Sequence, residues 1–377
     1  MGFLSRIKSK LPVTNSGFSH FENEFWRSNS ELHSKLGETK WLVEQVLQDN
    51  QQLRETISDL NDHNHALSTH LDLYAWELLH RDSEDISETK RRFFKNLSPA
   101  QGDLRLLQLA TARLLTEFDE LCRKNDLRYW ICFGTLLGAV RHGGFIPWDD
   151  DTDLGMMRGE IRRLIAIVDS EERYRVSIVW DSYARSRQVR FMYANENLPC
   201  FLDLFIFDYA TSLDPQLFDI QAANRTQLVK RLTVAQEYGF WGGDNAYLPD
   251  SDPRAEILRG AFDELHHQQI ESGLLAEDEN RAAGIIWGLD NLEDLNHYKW
   301  LVPVSDVFPT VKIVFEGVEC AAPNQGEQQL SDIYGDIWRL PDDIVSHFDH
   351  VSRAELREPD VRSALKMLVD SAANCAE

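Results

Sequence analysis

The sequence lacks most of the features that settle a function by themselves. Its five cysteines (Cys122, Cys132, Cys200, Cys320, Cys375) are scattered through 377 residues, and none form a Cys-x-x-Cys pair. That argues against a disulfide framework and against a structural zinc site, and free thiols in this number suit a reducing cytoplasm. No run of about 18 apolar residues occurs, so no transmembrane helix is expected. The first residues lack the continuous apolar stretch of a signal peptide. Positive charge is in deficit: 39 Lys plus Arg against 62 Asp plus Glu leaves a net charge of −23. A chain this acidic is a poor partner for nucleic acid, whose binding is led by Lys and Arg on phosphates. A nucleotide can still reach a carboxylate site through a bound divalent cation. There is no P-loop, no Gly-x-Gly-x-x-Gly, no Ser-His-Asp arrangement and no internal repeat.

What is present is enough apolar residue, 43%, to build a large core and to exclude global disorder. At about 150 residues per domain the length suggests two or three units. Residues 1–31 form an N-terminal segment. Phe3, Leu4, Ile7 and Leu11 fall on one helical face, and Arg6, Lys8 and Lys10 add positive charge. Such a start can lie on the anionic inner face of a membrane as a peripheral contact, or be a solvated terminus. The expected location is cytoplasmic.

Residues 32–97 read as a coiled coil and hinge. No Pro or Gly occurs from Trp41 to Lys90. Apolar or Asn positions recur from Leu32 to Leu78, and from Val43 onward the steps are 3 and 4 without a break. Val46, Leu53, Leu60, Leu67 and Tyr74 take d, while Asn50, Ile57, Asn64, Leu71 and Leu78 take a. Asn at a favours a parallel two-stranded coil, so a homodimer through residues 32–78 is expected. The other reading is a long amphipathic helix packed on its own domain.

Residues 98–345 carry the chemistry. Ser98-Pro99 is a helix start signal. The helix runs to about Asn125 and buries Leu107, Leu114, Phe118 and Leu121. Short strands follow at 128–132, 152–156, 173–180, 189–194 and 201–207, with helices at 136–141 and 159–170. Residues 211–300 read as a mostly helical insertion, and residues 346–377 as a C-terminal tail or helix. Strands mixed with helices predict an α+β domain with a mixed α/β sheet.

One stretch is dense in functional groups. Gly134-Thr135 makes a tight strand-to-helix turn, whose N–H groups and Thr135 hydroxyl suit an anion. Asp149, Asp150 and Asp151 follow together, with Asp153 beyond. Residues two apart share a strand face, so Asp151 and Asp153 project to one side, and hard oxygens of this kind suit Mg²⁺ or Mn²⁺. Asp203 is the single charge before Asp208 in the apolar run Phe201-Leu-Asp-Leu-Phe-Ile-Phe-Asp208. A carboxylate there persists only if paired or metal-bound. These are the parts of a phosphoryl- or nucleotidyl-transfer site.

Gly134-Thr-Leu-Leu-Gly-Ala-Val-Arg-His142, with Gly144-Phe-Ile-Pro-Trp-Asp-Asp-Asp-Thr-Asp153, resembles the LicD family. That family is similar to fukutin and the fukutin-related protein, within the nucleotidyltransferase-fold superfamily. The resemblance extends over roughly residues 103–341 and takes in Phe315-Glu-Gly-Val-Glu319, Pro323 and Leu330-Ser-Asp-Ile-Tyr-Gly-Asp336. It implies a nucleotidyltransferase-like catalytic domain. The implied reaction moves a phospho-substituent (phosphocholine or a polyol phosphate) from a CDP-linked donor to a sugar hydroxyl of a cell-surface glycan or its precursor. It implies that Gly134 and Thr135 match the family turn, that Asp151 and Asp153 are the metal pair, and that Asp203 is the third catalytic carboxylate. Asp149 is a further acid able to reach the metal through water. Arg141 and His142 are candidates for donor phosphate. Trp148 is expected in the core, Asp150 in a turn, Asp208 as a strand-end cap or a catalytic acid, and His266-His267 on an exposed helix. Two other readings stand beside this one. A nucleotide-sugar glycosyltransferase explains the Asp-x-Asp pair but not the turn or Asp203. A coiled-coil scaffold with an inactive enzyme domain does not need an intact acid triad.

Overall fold

The computed structural model describes residues 15–80, 87–291, 300–339 and 350–373. The basic amphipathic start, hinge residues 81–86 and Pro341 lie outside the described residues. The chain divides into two compact units, Met1–His65 and Ala66–Glu377. Over its described residues the first unit is helical: α1 (Asn15–His80) is a continuous 66-residue helix whose course includes the boundary. At about 1.5 Å per residue it is about 100 Å long. Among the described residues no helix is long and apolar enough to cross a membrane.

In the second unit, Leu73 of α1 is fully buried with Phe94 of α2 (Ser87–Lys95), and Trp76 stacks on Phe93 at 4.5 Å. Neither Leu73 nor Trp76 is an a or d position, so this contact leaves the heptad seam uncovered. α3 (Gly102–Lys124) begins four residues after Ser98. Pro99 pushes its preceding residue toward extended backbone, and Gln101 is the extended residue before the first turn. Leu107, Leu114, Phe118 and Leu121 are all buried, as the helical spacing predicts.

The expected strands and helices then appear within a few residues of their predicted limits. They are β1 (Trp130–Ile131), α4 (Phe133–Arg141), β2 (Asp153–Met157), α5 (Arg158–Val168), β3 (Tyr174–Asp181), β4 (Ser186–Tyr193) and β5 (Phe201–Ala210). Residues 211–300, expected as a mostly helical insertion, carry helices and also strands of the sheet. They hold α6 (Pro215–Val234) and α7 (Ala255–Glu271), but also β6 (Tyr247–Pro249), β7 (Leu275–Ala276) and β8 (Gly284–Trp287). These short strands all pair with the main sheet: β6 with β3, and β7 and β8 with β5. Strands of two to four residues give too little alternation to be read.

β9 (Leu301–Pro303) extends the sheet beside β8. It is followed by α8 (Val304–Val307), the hairpin β10 (Val311–Phe315) and β11 (Val318–Ala322), and α9 (Gly326–Tyr334). Of the two readings of the C-terminal stretch, tail or helix, its described residues take the second. α10 (Arg353–Arg357) and α11 (Pro359–Ala373) place Leu356, Val361 and Leu365 in the main core.

The sheet runs β1-β2-β5-β4-β3-β6, with β2 and β5 parallel. Leu202, Leu204 and Ile206 point into one core, shared with Leu114 and Phe118. Phe205 and Phe207 point into a second, aromatic core with Trp130, Trp287 and Trp300. β5 is therefore covered on both faces, which is why its sequence is almost continuously apolar. Gly155 shows how tightly β2 is packed, since a Cβ there would lie 2.3 Å from the Trp130 ring.

Candidate active site

Register brings the acids together. Asp153 on β2 is the parallel partner of Asp203 on β5, and Asp203 is the antiparallel partner of Arg190 on β4. Directly opposite residues share a sheet face. The row Asp153–Asp203–Arg190 thus crosses three strands at one level, on the face that also carries Phe205. Asp151 joins from the loop before β2. Asp151, Asp153 and Asp203 each offer a carboxylate oxygen, and these oxygens lie within 4.8 Å of one another.

The strand-to-helix turn holds Asp153 in place. Phe133 sits at φ 45°, the left-handed region, and its ring packs on Phe205 at 4.9 Å and on Trp287 at 5.2 Å. The next residue, Gly134, donates its N–H to Asp153 Oδ2 at 3.2 Å. A Cβ at Gly134 would lie 3.2 Å from Asp149 Oδ2 and 3.5 Å from Asp153 Oδ2, so a larger residue in this turn would press on the Asp149 carboxylate. Thr135 is buried, and its hydroxyl accepts the Asp153 N–H at 2.7 Å. Gly134 and Thr135 are thus already engaged with an acid of the site, where the sequence suggested a cradle for phosphate.

Charge at the site is unbalanced. Burial, then Asp151 and Asp153, push the Asp149 carboxyl well above the usual range. Burial, then Asp151 and Asp203, do the same to Asp153 against the opposing Gly134 N–H. Asp203 is raised by burial, with Arg190 pulling the other way. Asp203 has an ion-pair partner, one of the two ways a carboxylate persists in so apolar a strand. Arg190 Nε meets its Oδ1 at 2.8 Å, while the guanidinium lies over the Phe201 ring at 3.8 Å.

Arg141 and His142 turn toward α2. The Arg141 guanidinium lies over the Phe94 ring at 3.9 Å, and His142 Nδ1 is 2.8 Å from the Phe94 carbonyl. Neither has a hydrogen bond or ion pair with Asp149, Asp151 or Asp153 among the described residues. Burial lowers Arg141 to about 10, and burial and then Arg141 lower His142 to about 3, so the imidazole is neutral at pH 7. A neutral ring anchored to a carbonyl is a poor holder of phosphate. Trp148 packs against the core, as expected.

Asp150 fastens the C-terminal segment. Its Oδ2 accepts the N–H groups of His350 at 2.7 Å and Val351 at 3.0 Å, and its Oδ1 lies 3.0 Å from His350 Nδ1. His350 Nε2 is 3.5 Å from Asp151 Oδ2. The Asp150 contact raises the His350 imidazole, against burial and with help from Asp151. His350 is 200 residues from Asp150, and no local spacing could have pointed to it. Arg190 was legible in principle, because it alternates with buried Val189 and Phe191 toward the face opposite theirs.

Two further expectations change. Asp208 neither caps its strand end nor joins the acid cluster. It forms a two-bonded pair with buried Arg158, at 2.7 and 2.6 Å, and Arg158 also meets Asp290. His266 is not on an exposed face: its Nε2 lies 3.3 Å from Asp208 Oδ1.

Comparison with known proteins bears on the segment that holds these acids. Residues 126–230 match the LicD/FKTN/FKRP nucleotidyltransferase domain. The chain carries a LicD-family domain. It is 33% identical over 117 residues to the lipopolysaccharide cholinephosphotransferase LicD of Haemophilus influenzae, covering 28% of this chain and 44% of that protein. It is 35% identical over 74 residues to the ribitol 5-phosphate transferase FKRP of Homo sapiens, covering 19% and 15%. An uncharacterized protein of Rickettsia prowazekii is 41% identical over 81 residues, covering 22% and 29%. The chain spans less than half the length of these relatives. The LicD match is narrower than residues 103–341, and the 315–336 pattern lies outside it. The structure still ties that pattern to the motif loop. Glu316, in the β10–β11 turn, accepts the Phe145 N–H at 3.0 Å and is gripped by Arg105 at 2.7 and 3.0 Å.

Proposed function

We propose that this protein transfers a phospho-substituent, phosphocholine or a polyol phosphate, from a CDP-linked donor to a sugar hydroxyl of a cell-surface glycan or its precursor. The observation that carries the reading is the convergence of Asp151, Asp153 and Asp203 inside the LicD-matched segment. Two relatives named above, a lipopolysaccharide cholinephosphotransferase and a ribitol 5-phosphate transferase, are by name transferases of a phospho-substituent, which supports the reading.

The donor set fits a hard divalent cation. Three carboxylates bring their oxygens within 4.8 Å, with Arg190 against Asp203 and His350 against Asp151, and burial and mutual repulsion push Asp153 toward protonation. Repelling hard oxygens of this kind suit Mg²⁺ or Mn²⁺. We assign Asp151, Asp153 and Asp203 as the ligands, with Asp149 behind them beside Gly134. Such an ion, when bound, neutralises charge on the donor phosphates. The remaining roles belong to the chain. Gly134 and Thr135 orient Asp153 from both its carboxylate and its backbone. Arg190 orients Asp203, and Asp203 is our candidate to accept the proton of the sugar hydroxyl. Asp150 and His350 hold the C-terminal segment against the loop that carries Asp151.

The test is a donor screen. Purified protein with Mg²⁺ is offered CDP-choline, CDP-ribitol and UDP-sugars with glycan acceptors, and products are read by mass spectrometry. CMP release with an acceptor that gains a phosphate-containing group is the expected result. Sugar transfer without phosphate would replace this reading with a glycosyltransferase.

A further inference from the structure

The phosphotransfer reading leaves α1 without a role. Its seam is bare: Val46 is 55% exposed, Leu53 60%, Ile57 57% and Leu60 56%. Leu67, Leu71 and Tyr74 continue the stripe and are exposed too. Large side chains in one uncovered stripe this long mark an interaction surface.

The seam names its own occupant. Asn50 and Asn64 both occupy a and are exposed, two heptads apart. In a parallel, in-register pair each a residue faces the same residue of the partner. A carboxamide is both donor and acceptor, so Asn50 meets Asn50 and Asn64 meets Asn64 in matched pairs. In an antiparallel pair a residues face d residues, and both amides would be set against Val or Leu. In the single chain the Asn50 amide folds back onto the Val46 carbonyl at 2.8 Å, a local bond that an amide gives up when a partner arrives. The flanks agree. Asp49 at g is set against Arg54 at e of the other strand, an attractive pair that exists only in this orientation and register. Leu42 at g is set against Leu47 at e in the same way, and both are exposed.

We infer that α1 pairs with the α1 of a second copy as a parallel, in-register, two-stranded coiled coil beginning at Val43. The earlier turns are poorer. Thr39 stands at d, and Lys35 at g would face Lys40 at e of the other strand, so the coil starts later than Leu32. This inference does not depend on the transfer reaction.

Light scattering on the full chain, combined with cysteine pairing, tests it. Cys122, Cys132, Cys200 and Cys320 are buried, so a Cys375→Ser background leaves little competing thiol. In that background Asn50→Cys should oxidise to a covalent dimer, because an in-register a pair falls near the roughly 4.4–6.8 Å Cα window of a disulfide. Gln48→Cys, on the outer f position, should not. The unsubstituted chain should scatter as two copies of 43.5 kDa. Leu53→Asp with Leu60→Asp should scatter as one copy while keeping its CD-monitored melting transition, since both side chains are exposed in the single chain. A monomeric unsubstituted chain overturns the inference. So does a trimer or tetramer, or Gln48→Cys crosslinking as readily as Asn50→Cys.

Discussion

Asp203 shows how a single contact changes an expectation. In the sequence it is one acid in an apolar strand, and removing an unpaired buried charge would leave stability equal or higher. In the structure Arg190 pairs with it, so Asp203→Ala strands a half-buried guanidinium. The variant should lose transfer by at least about 100-fold, the low end for a general base. It should also lose about 1–3 kcal/mol of stability without metal, the cost of an unsatisfied buried polar group. A melting temperature equal to the parent's would show that the Arg190 contact contributes nothing. Asp151→Asn and Asp153→Asn keep size and lose charge. Each should abolish transfer with the fold intact, checked by activity alongside circular dichroism. At Gly155 the expected effect is purely steric. Gly155→Ala puts a methyl into the Trp130 ring and should cost about 1–3 kcal/mol in denaturant unfolding, as overpacking does.

At the scale of elements, the legible parts were those with a long period or a dense motif. The 3.6 pattern of α3 and the apolar run of β5 placed themselves, and Asp-Asp-Asp-Thr-Asp marked the loop before β2. Illegible were the partners that long-range pairing supplies: Arg190 from β4, His350 from the C-terminal segment, and Glu316 from a hairpin turn. Their positions depend on strand register and loop docking, which no local spacing encodes. The same holds for the cluster joining β5, α5, α7 and the Asp290 loop. There burial alone would raise Asp208, but Arg158 and then His266 outweigh it and hold the carboxyl far below its usual value. A folded value below the unfolded value of about 4 means the stabilisation is complete above pH 4. It is lost as pH falls from there toward the folded value. Melting temperature should therefore drop steeply below pH 4, and the slope should be shallower in Asp208→Asn. Equal slopes in parent and variant would remove Asp208 from the acid transition.

Across the whole molecule, a LicD-family domain with a half-buried acid trio stands in a chain that also bears a long helix with an exposed heptad seam. The two parts make separable predictions. The coil governs subunit number, and the trio governs chemistry. Metal binding should register in stability as well as in turnover. A ligand that binds only the folded state stabilises it by mass action, about 2.7 kcal/mol at a hundredfold excess over its Kd. Mn²⁺ or Mg²⁺ should therefore raise the melting temperature of the parent and leave that of Asp153→Asn nearly unmoved. The most direct measurement of the central claim is transfer from the CDP-linked donor found active in the screen, assayed with Mg²⁺, with excess EDTA, and with Asp153→Asn plus Mg²⁺. The account predicts phosphorylated acceptor and CMP in the first case only, with activity restored when Mg²⁺ is added back after EDTA. Undiminished transfer in EDTA, or by Asp153→Asn, would contradict it.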